Sequence, residues 1–111
     1  MIQTMRGIPM DDMVLSNYLR NLVNLFFKIL PIRENEEPTL PFYMESLQAE
    51  LLGCSELITV LHEDSMFLSL ISILQYLIDR PDSPVYVYKR EVFKAISICN
   101  KLKARYATKE G

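Results

Sequence analysis

The chain has 111 residues and a mass of 12.9 kDa, enough for one domain and too short for two separate cores. Apolar residues make up 50% of it, but Leu and Ile hold 26 positions against 4 for Ala and 3 for Gly. That excludes disorder and Gly-rich linkers, and it leaves little backbone for the tight glycine loops of nucleotide sites. A net charge of −2 and a pI of about 5.4 give no global signal for nucleic acid or anionic lipid.

Residues 1–10 show no clear period and read as a loose arm. Asp11 or Asp12 can cap a first helix, placing a carboxylate where free N–H groups and the positive end of the helix dipole want one. The spacing predicts this helix over about 12–30, stopping before Pro31, because a residue preceding proline is biased out of the α region. Leu15, Tyr18, Leu19, Leu22, Val23, Phe26, Ile29 and Leu30 form a broad apolar face. Leu25 and Phe27 flank the opposite, polar stripe, so the apolar arc is wider than one neighbouring helix covers.

The stretch 31–39, with Glu34, Glu36, Glu37 and Pro38, reads as a linker. Thr39 is the expected cap of a second helix, over about 40–62, with Pro41 tolerated in its first turn. Gly53 lies inside that helix at a cost of about 1 kcal/mol relative to Ala, which predicts a bend or a close approach by another helix. A third helix is expected over about 65–79, started by Asp64 or Ser65 and ended before Pro81. Its polar stripe is narrow (Ser69, Ser72, Gln75, Asp79), so it reads as the central, most enclosed element. Ser83-Pro84 signals the start of a fourth helix, over about 84–106. Val85, Tyr88, Val92, Ile96, Cys99, Leu102 and Tyr106 mark its inner face, widened by Phe93, while Ile98 falls off that stripe. Residues 108–111 are a tail.

Four helices with short connections predict an all-α, antiparallel four-helix bundle-like domain over residues 11–107. The first and third helices carry more large apolar groups than four helices of this length hide, and surplus apolar surface marks a partner. We therefore expect a homodimer, with Leu25, Phe27 and Ile98 as the interface residues, because each is apolar yet lies off its helix's main stripe.

Charge is unevenly placed. Residues 1–85 hold 5 basic and 12 acidic side chains; residues 86–111 hold 7 basic and 2 acidic. Lys89, Arg90, Lys94, Lys101, Lys103 and Arg105 define a candidate basic surface on the last helix, with Tyr86 and Tyr88 near its start. Such cations neutralise phosphates and tyrosines stack on unpaired bases, so nucleic acid and an acidic protein are the partners this surface suggests. The alternative is plain: cations near a helix C-terminus are favoured by the dipole, and this helix could pack beside acidic Glu45, Glu50 and Glu56.

Parts for catalysis are sparse. His62-Glu63-Asp64 is the one place where an imidazole meets carboxylates, but adjacent helical residues point about 100° apart and the acids fall where the third helix needs a cap. Ser69 and Ser72 lack a neighbouring base, and their hydroxyls are expected to bond back to the helix. Cys54 and Cys99 sit 45 residues apart with no metal spacing and read as buried thiols of a reducing compartment. No P-loop, GxGxxG, zinc or calcium pattern occurs. We expect no enzymatic activity, no catalytic or metal-ligating residues, no cofactor and no small-molecule substrate. Met1 to Pro9 lacks an apolar signal-peptide core, and the apolar run 13–30 is too polar to span a bilayer, so a cytoplasmic protein without a membrane partner is expected. The leading expectation is a small helical interaction or regulatory protein acting by protein–protein association. The alternative is a nucleic-acid-binding protein using the basic last helix.

Overall fold

The structure, a computed structural model, describes residues 2–3, 9–10, 12–57 and 59–107. Asp11, Lys109, the tail 108–111 and most of the arm lie outside the described residues. Among those described, two short strands, β1 (Ile2–Gln3) and β2 (Pro9–Met10), pair antiparallel. The part of the arm expected to be loose is therefore hydrogen-bonded to itself. The helices are α1 (Asp12–Phe27), α2 (Ile29–Glu34), α3 (Leu40–Leu57), α4 (Thr59–His62), α5 (Ser65–Asp79) and α6 (Val85–Ala107).

The first helix does not simply stop before Pro31. It breaks at Lys28 and resumes as α2, with Pro31 in the first turn of the new helix. Proline has no N–H for the carbonyl four residues back, and its ring crowds that carbonyl, here Phe27. The break falls just there, and in the first turn of α2 the missing donor costs nothing. From α3 the Tyr43 hydroxyl donates to the Leu25 carbonyl at 2.7 Å, beside the break. Much of the expected linker is thus helical. Its remaining turn passes through Glu36, which adopts φ of 54°.

The helices form an antiparallel bundle in which each is joined to the next around a ring. α6 packs on α1 and α5, α5 packs on α3, and α2 bridges α6 and α3. Side chains close the ring between α1 and α3, through Tyr43 to Leu25 and Tyr18 to Glu50. The pairings run in opposite directions: Arg33 reaches Ser83 while Phe27 meets Phe93, and Arg105 reaches Asp64 while Arg90 meets Tyr76. α3 and α6 stand at opposite corners.

Leu15, Leu19, Leu22, Phe26, Met44, Leu51, Phe67, Leu70, Leu74, Tyr88, Val92 and Leu102 fill the core. No helix is enclosed on every side, the third predicted one included, and the longest, α6, is the one that most of the others pack against. At 23 residues it is about 35 Å long, close to the 42 Å long axis of the molecule, and it touches α1, α2 and α5. Its fully buried Ala95 and Cys99 keep the inner face slim, which brings α1 close. α5 leaves Leu68, Ser69, Ser72 and Gln75 exposed.

Candidate functional site

The residues singled out from the sequence do not converge on one site. Leu25 is half-buried and lines a small cleft of about 160 Å³ on the α1/α3 side with Tyr43, Ser46, Leu47 and Glu50. Ile98 is half-buried in an open groove of about 530 Å³ between α5 and α6, together with Ser69, Ser72 and Tyr76. Both also pack against the core, so most of their apolar surface is covered within the chain. Phe27 alone of the three is strongly exposed, at 42%.

What sequence reasoning missed is the partner of Phe27. Phe93, expected from its spacing to widen the inner face of the last helix, is 51% exposed and meets Phe27 edge-to-face, with ring centroids 6.0 Å apart. Phe93 lies seven residues after Tyr86, which is 70% exposed, so the two share the outer face of α6. On the far corner, α3 exposes Phe42 (74%) and Leu52. The i, i+7 spacing of Tyr86 and Phe93 was visible in the sequence, but nothing there showed which flank of the apolar arc would be covered.

Three of the six basic-surface residues have internal partners. Arg90 and Lys94 hold the buried carboxylate of Glu91, at 2.8 and 3.2 Å. Burial alone pushes the Glu91 carboxyl up; the hydrogen bonds from Arg90 and Lys94 outweigh it and hold the group below the usual glutamate range. Arg105 bonds Asp64 at 2.7 Å. Asp64 is also the cap of α5: its Oδ1 accepts from the N–H groups of Met66 (2.9 Å) and Phe67 (3.2 Å) while Oδ2 takes Arg105. Lys89, Lys101 and Lys103 form no ion pair among the described residues.

A second tie lies at the opposite end. Arg33 donates twice to the Ser83 carbonyl, at 3.3 and 2.9 Å, and sits over the Tyr88 ring, whose hydroxyl donates to the Pro81 carbonyl at 2.9 Å. Burial raises the Tyr88 hydroxyl above its ordinary value, against the pull of Arg33.

The side chains with chemically reactive groups are occupied or apart. His62 and Glu63 are exposed while Asp64 is buried in its cap. Ser69 and Ser72 hydroxyls donate to the Ser65 and Leu68 carbonyls, at 2.9 and 3.5 Å. Both cysteines are free thiols; burial raises Cys54, which lies beside Tyr18, and pushes Cys99 up to about 12. Among the described residues no three His, Cys, Asp or Glu side chains are grouped to hold a metal ion, and no helix is long and apolar enough to cross a membrane. No family model, curated protein or solved structure matches the chain.

Proposed function

We propose that this protein works by protein–protein association, in the first place with copies of itself, and that it has no catalytic role. The observation that carries this reading is the surface pair Phe27 and Phe93. Two phenyl rings hold each other in an edge-to-face contact while about half of each remains in water. Rings ordered in this way lose little further conformational freedom on binding, which is what makes aromatic side chains effective anchors at interfaces. Self-association, with the homodimer expected from composition as its simplest form, and a cytoplasmic setting belong to the same reading.

Sedimentation equilibrium from tens to hundreds of micromolar tests it. The expected mass exceeds 12.9 kDa and falls toward that of the monomer when Phe27 and Phe93 are both replaced by Ser. A wild-type monomer throughout that range refutes self-association.

Nucleic-acid binding by α6 is the weaker reading, because Arg90, Lys94 and Arg105 already have carboxylate partners. Its fair test replaces Lys89, Lys101 and Lys103 with Glu. Replacing Arg105 would also break the Asp64 pair and confuse lost binding with lost stability. Retention on heparin or mixed nucleic acid that does not change in that variant rules the reading out.

A further inference from the structure

Among the described residues, five of the six exposed large apolar groups lie on α3 (Phe42, Leu52), on α6 (Tyr86, Phe93) or against α6 (Phe27); the sixth is Leu68 on α5. The outer faces of α3 and α6, at opposite corners of the bundle, carry opposite charge. One corner is the outer face of α3, where Phe42, Ala49 and Gly53 follow one another at spacings of seven and four residues, the recurrence of one helix face. Exposed Glu45 and Glu56 stand along this face. The other corner is the outer face of α6, where Tyr86, Phe93 and Ser97 repeat the same seven-and-four spacing between exposed Lys89 and Lys101. α3 and α6 do not pack on each other; α5 and α1 stand between them.

Gly53 supplies an independent observation. A glycine inside a helix costs about 1 kcal/mol relative to Ala, and a close approach by another backbone is the usual compensation. Within this chain there is none, since nothing stands within 4 Å of a Cβ built at Gly53. Of the two accounts expected from the sequence, a bend or a close approach, the approach is absent from the monomer, and the position opens outward on the acidic face.

We infer that the α3 face of one copy receives the α6 face of the next, so that molecules associate head-to-tail rather than as a closed pair. This rests on the self-association reading above and gives it a geometry. Phe93 is the knob, the shallow Ala49 and Gly53 surface is the hollow, and Glu45 and Glu56 face Lys89 and Lys101. The occupant is a second copy because this chain carries both halves of the match. Two α6 faces set together would oppose like charges, and so would two α3 faces. An interface between unlike patches on opposite sides of a molecule does not close on itself after two copies; it builds rings of three or more copies or open chains. One helix–helix seam buries less than the roughly 1,200 Å² of a standard stable interface, so the association is weak and depends on concentration. It also weakens with salt, because the Debye length falls from about 10 Å at 0.1 M to about 3 Å at 1 M.

Sedimentation velocity of the full chain from about 10 to 500 µM, at low and high salt, is the experiment, with two charge-reversal variants. In Glu45→Lys/Glu56→Lys both corners are basic, and in Lys89→Glu/Lys101→Glu both are acidic. The expected result is a wild-type mass that rises past that of a dimer and drops several-fold in high salt. Each variant alone stays monomeric, and an equimolar mixture of the two associates again, since every contact then pairs unlike charges. A plateau at the dimer mass that neither variant disturbs overturns the head-to-tail geometry and leaves self-association standing. A mixture that stays monomeric while wild type associates also overturns it. A monomer under all conditions removes both readings.

Discussion

Asp64 joins the start of α5 to the end of α6 through two separable interactions, and its removal can be worked through in stages. Oδ1 satisfies the N–H groups of Met66 and Phe67, which have no partner inside the helix, and Oδ2 accepts from Arg105 at 2.7 Å. Losing an N-cap costs about 1 kcal/mol. The Arg105 pair is discounted because its guanidinium is 49% exposed, and it contributes about 0.5–1 kcal/mol. Asp64→Ala therefore costs about 1.5–2 kcal/mol, a fall in Tm of about 6–8 °C for a domain of this size. Asp64→Asn keeps the capping oxygen and loses the charge, so it costs about 0.5–1 kcal/mol. Urea denaturation of the two variants and of Arg105→Ala, with the double variant Asp64→Asn/Arg105→Ala to close the cycle, measures each part. If Asp64→Asn is as unstable as Asp64→Ala, the cap contributes nothing. If the cycle shows no coupling, the ion pair contributes nothing, and the division of labour argued from the two oxygens is wrong.

Gly53→Ala is expected to stabilise the monomer by about 0.5–1 kcal/mol, read from thermal melts at low concentration, since the added methyl meets nothing. A destabilised variant would show that the glycine relieves a contact or a strain in the monomer itself. Glu91 is held below its ordinary value, so its folded-state stabilisation is present above about pH 4.5 and is lost as pH falls through the lower folded value. Glu91→Gln should thus be less stable at pH 7 and should lose less between pH 5 and 3 than wild type, in denaturant titrations at each pH. Cys99 is raised from 9.0 to about 12, which stabilises the fold fully below pH 9 and progressively less as pH rises toward 12. Cys99→Ala should flatten part of that alkaline decline, and the native Cys99 thiol should react with a thiol reagent only as fast as the protein opens; reaction at the rate of a free thiol would contradict its burial.

Much of the fold was legible because helix formation is local. The 3.6 spacing of Leu15, Leu19, Leu22 and Phe26, the turn signal Ser83-Pro84 and the capping acid at Asp64 all act within a few residues. The break at Lys28 was misplaced by a few residues because Pro31 acts on the carbonyl four positions back, whereas the expectation followed its effect on the residue just before it. The candidate surfaces were legible only as composition. That the last quarter of the chain is basic is written in its residues; that Arg105 meets Asp64, 41 positions away, is not.

The sequence by itself determined that this chain is helical, where α1, α3, α5 and α6 begin and how its charge divides between the first three quarters and the last, because propensity, capping and periodicity depend on near neighbours. The starts of α2 and α4 fall inside stretches it presented as continuous helices. Only the tertiary structure decided which flank of each apolar arc is covered. It put Leu25 and Ile98 against the core and left Phe27 and Phe93 in water. The reason is geometric: a helix in a ring of four has neighbours on two sides, and the ring's order decides which sides those are. The same order placed the acidic and basic faces at opposite corners, where they cannot satisfy each other within one molecule.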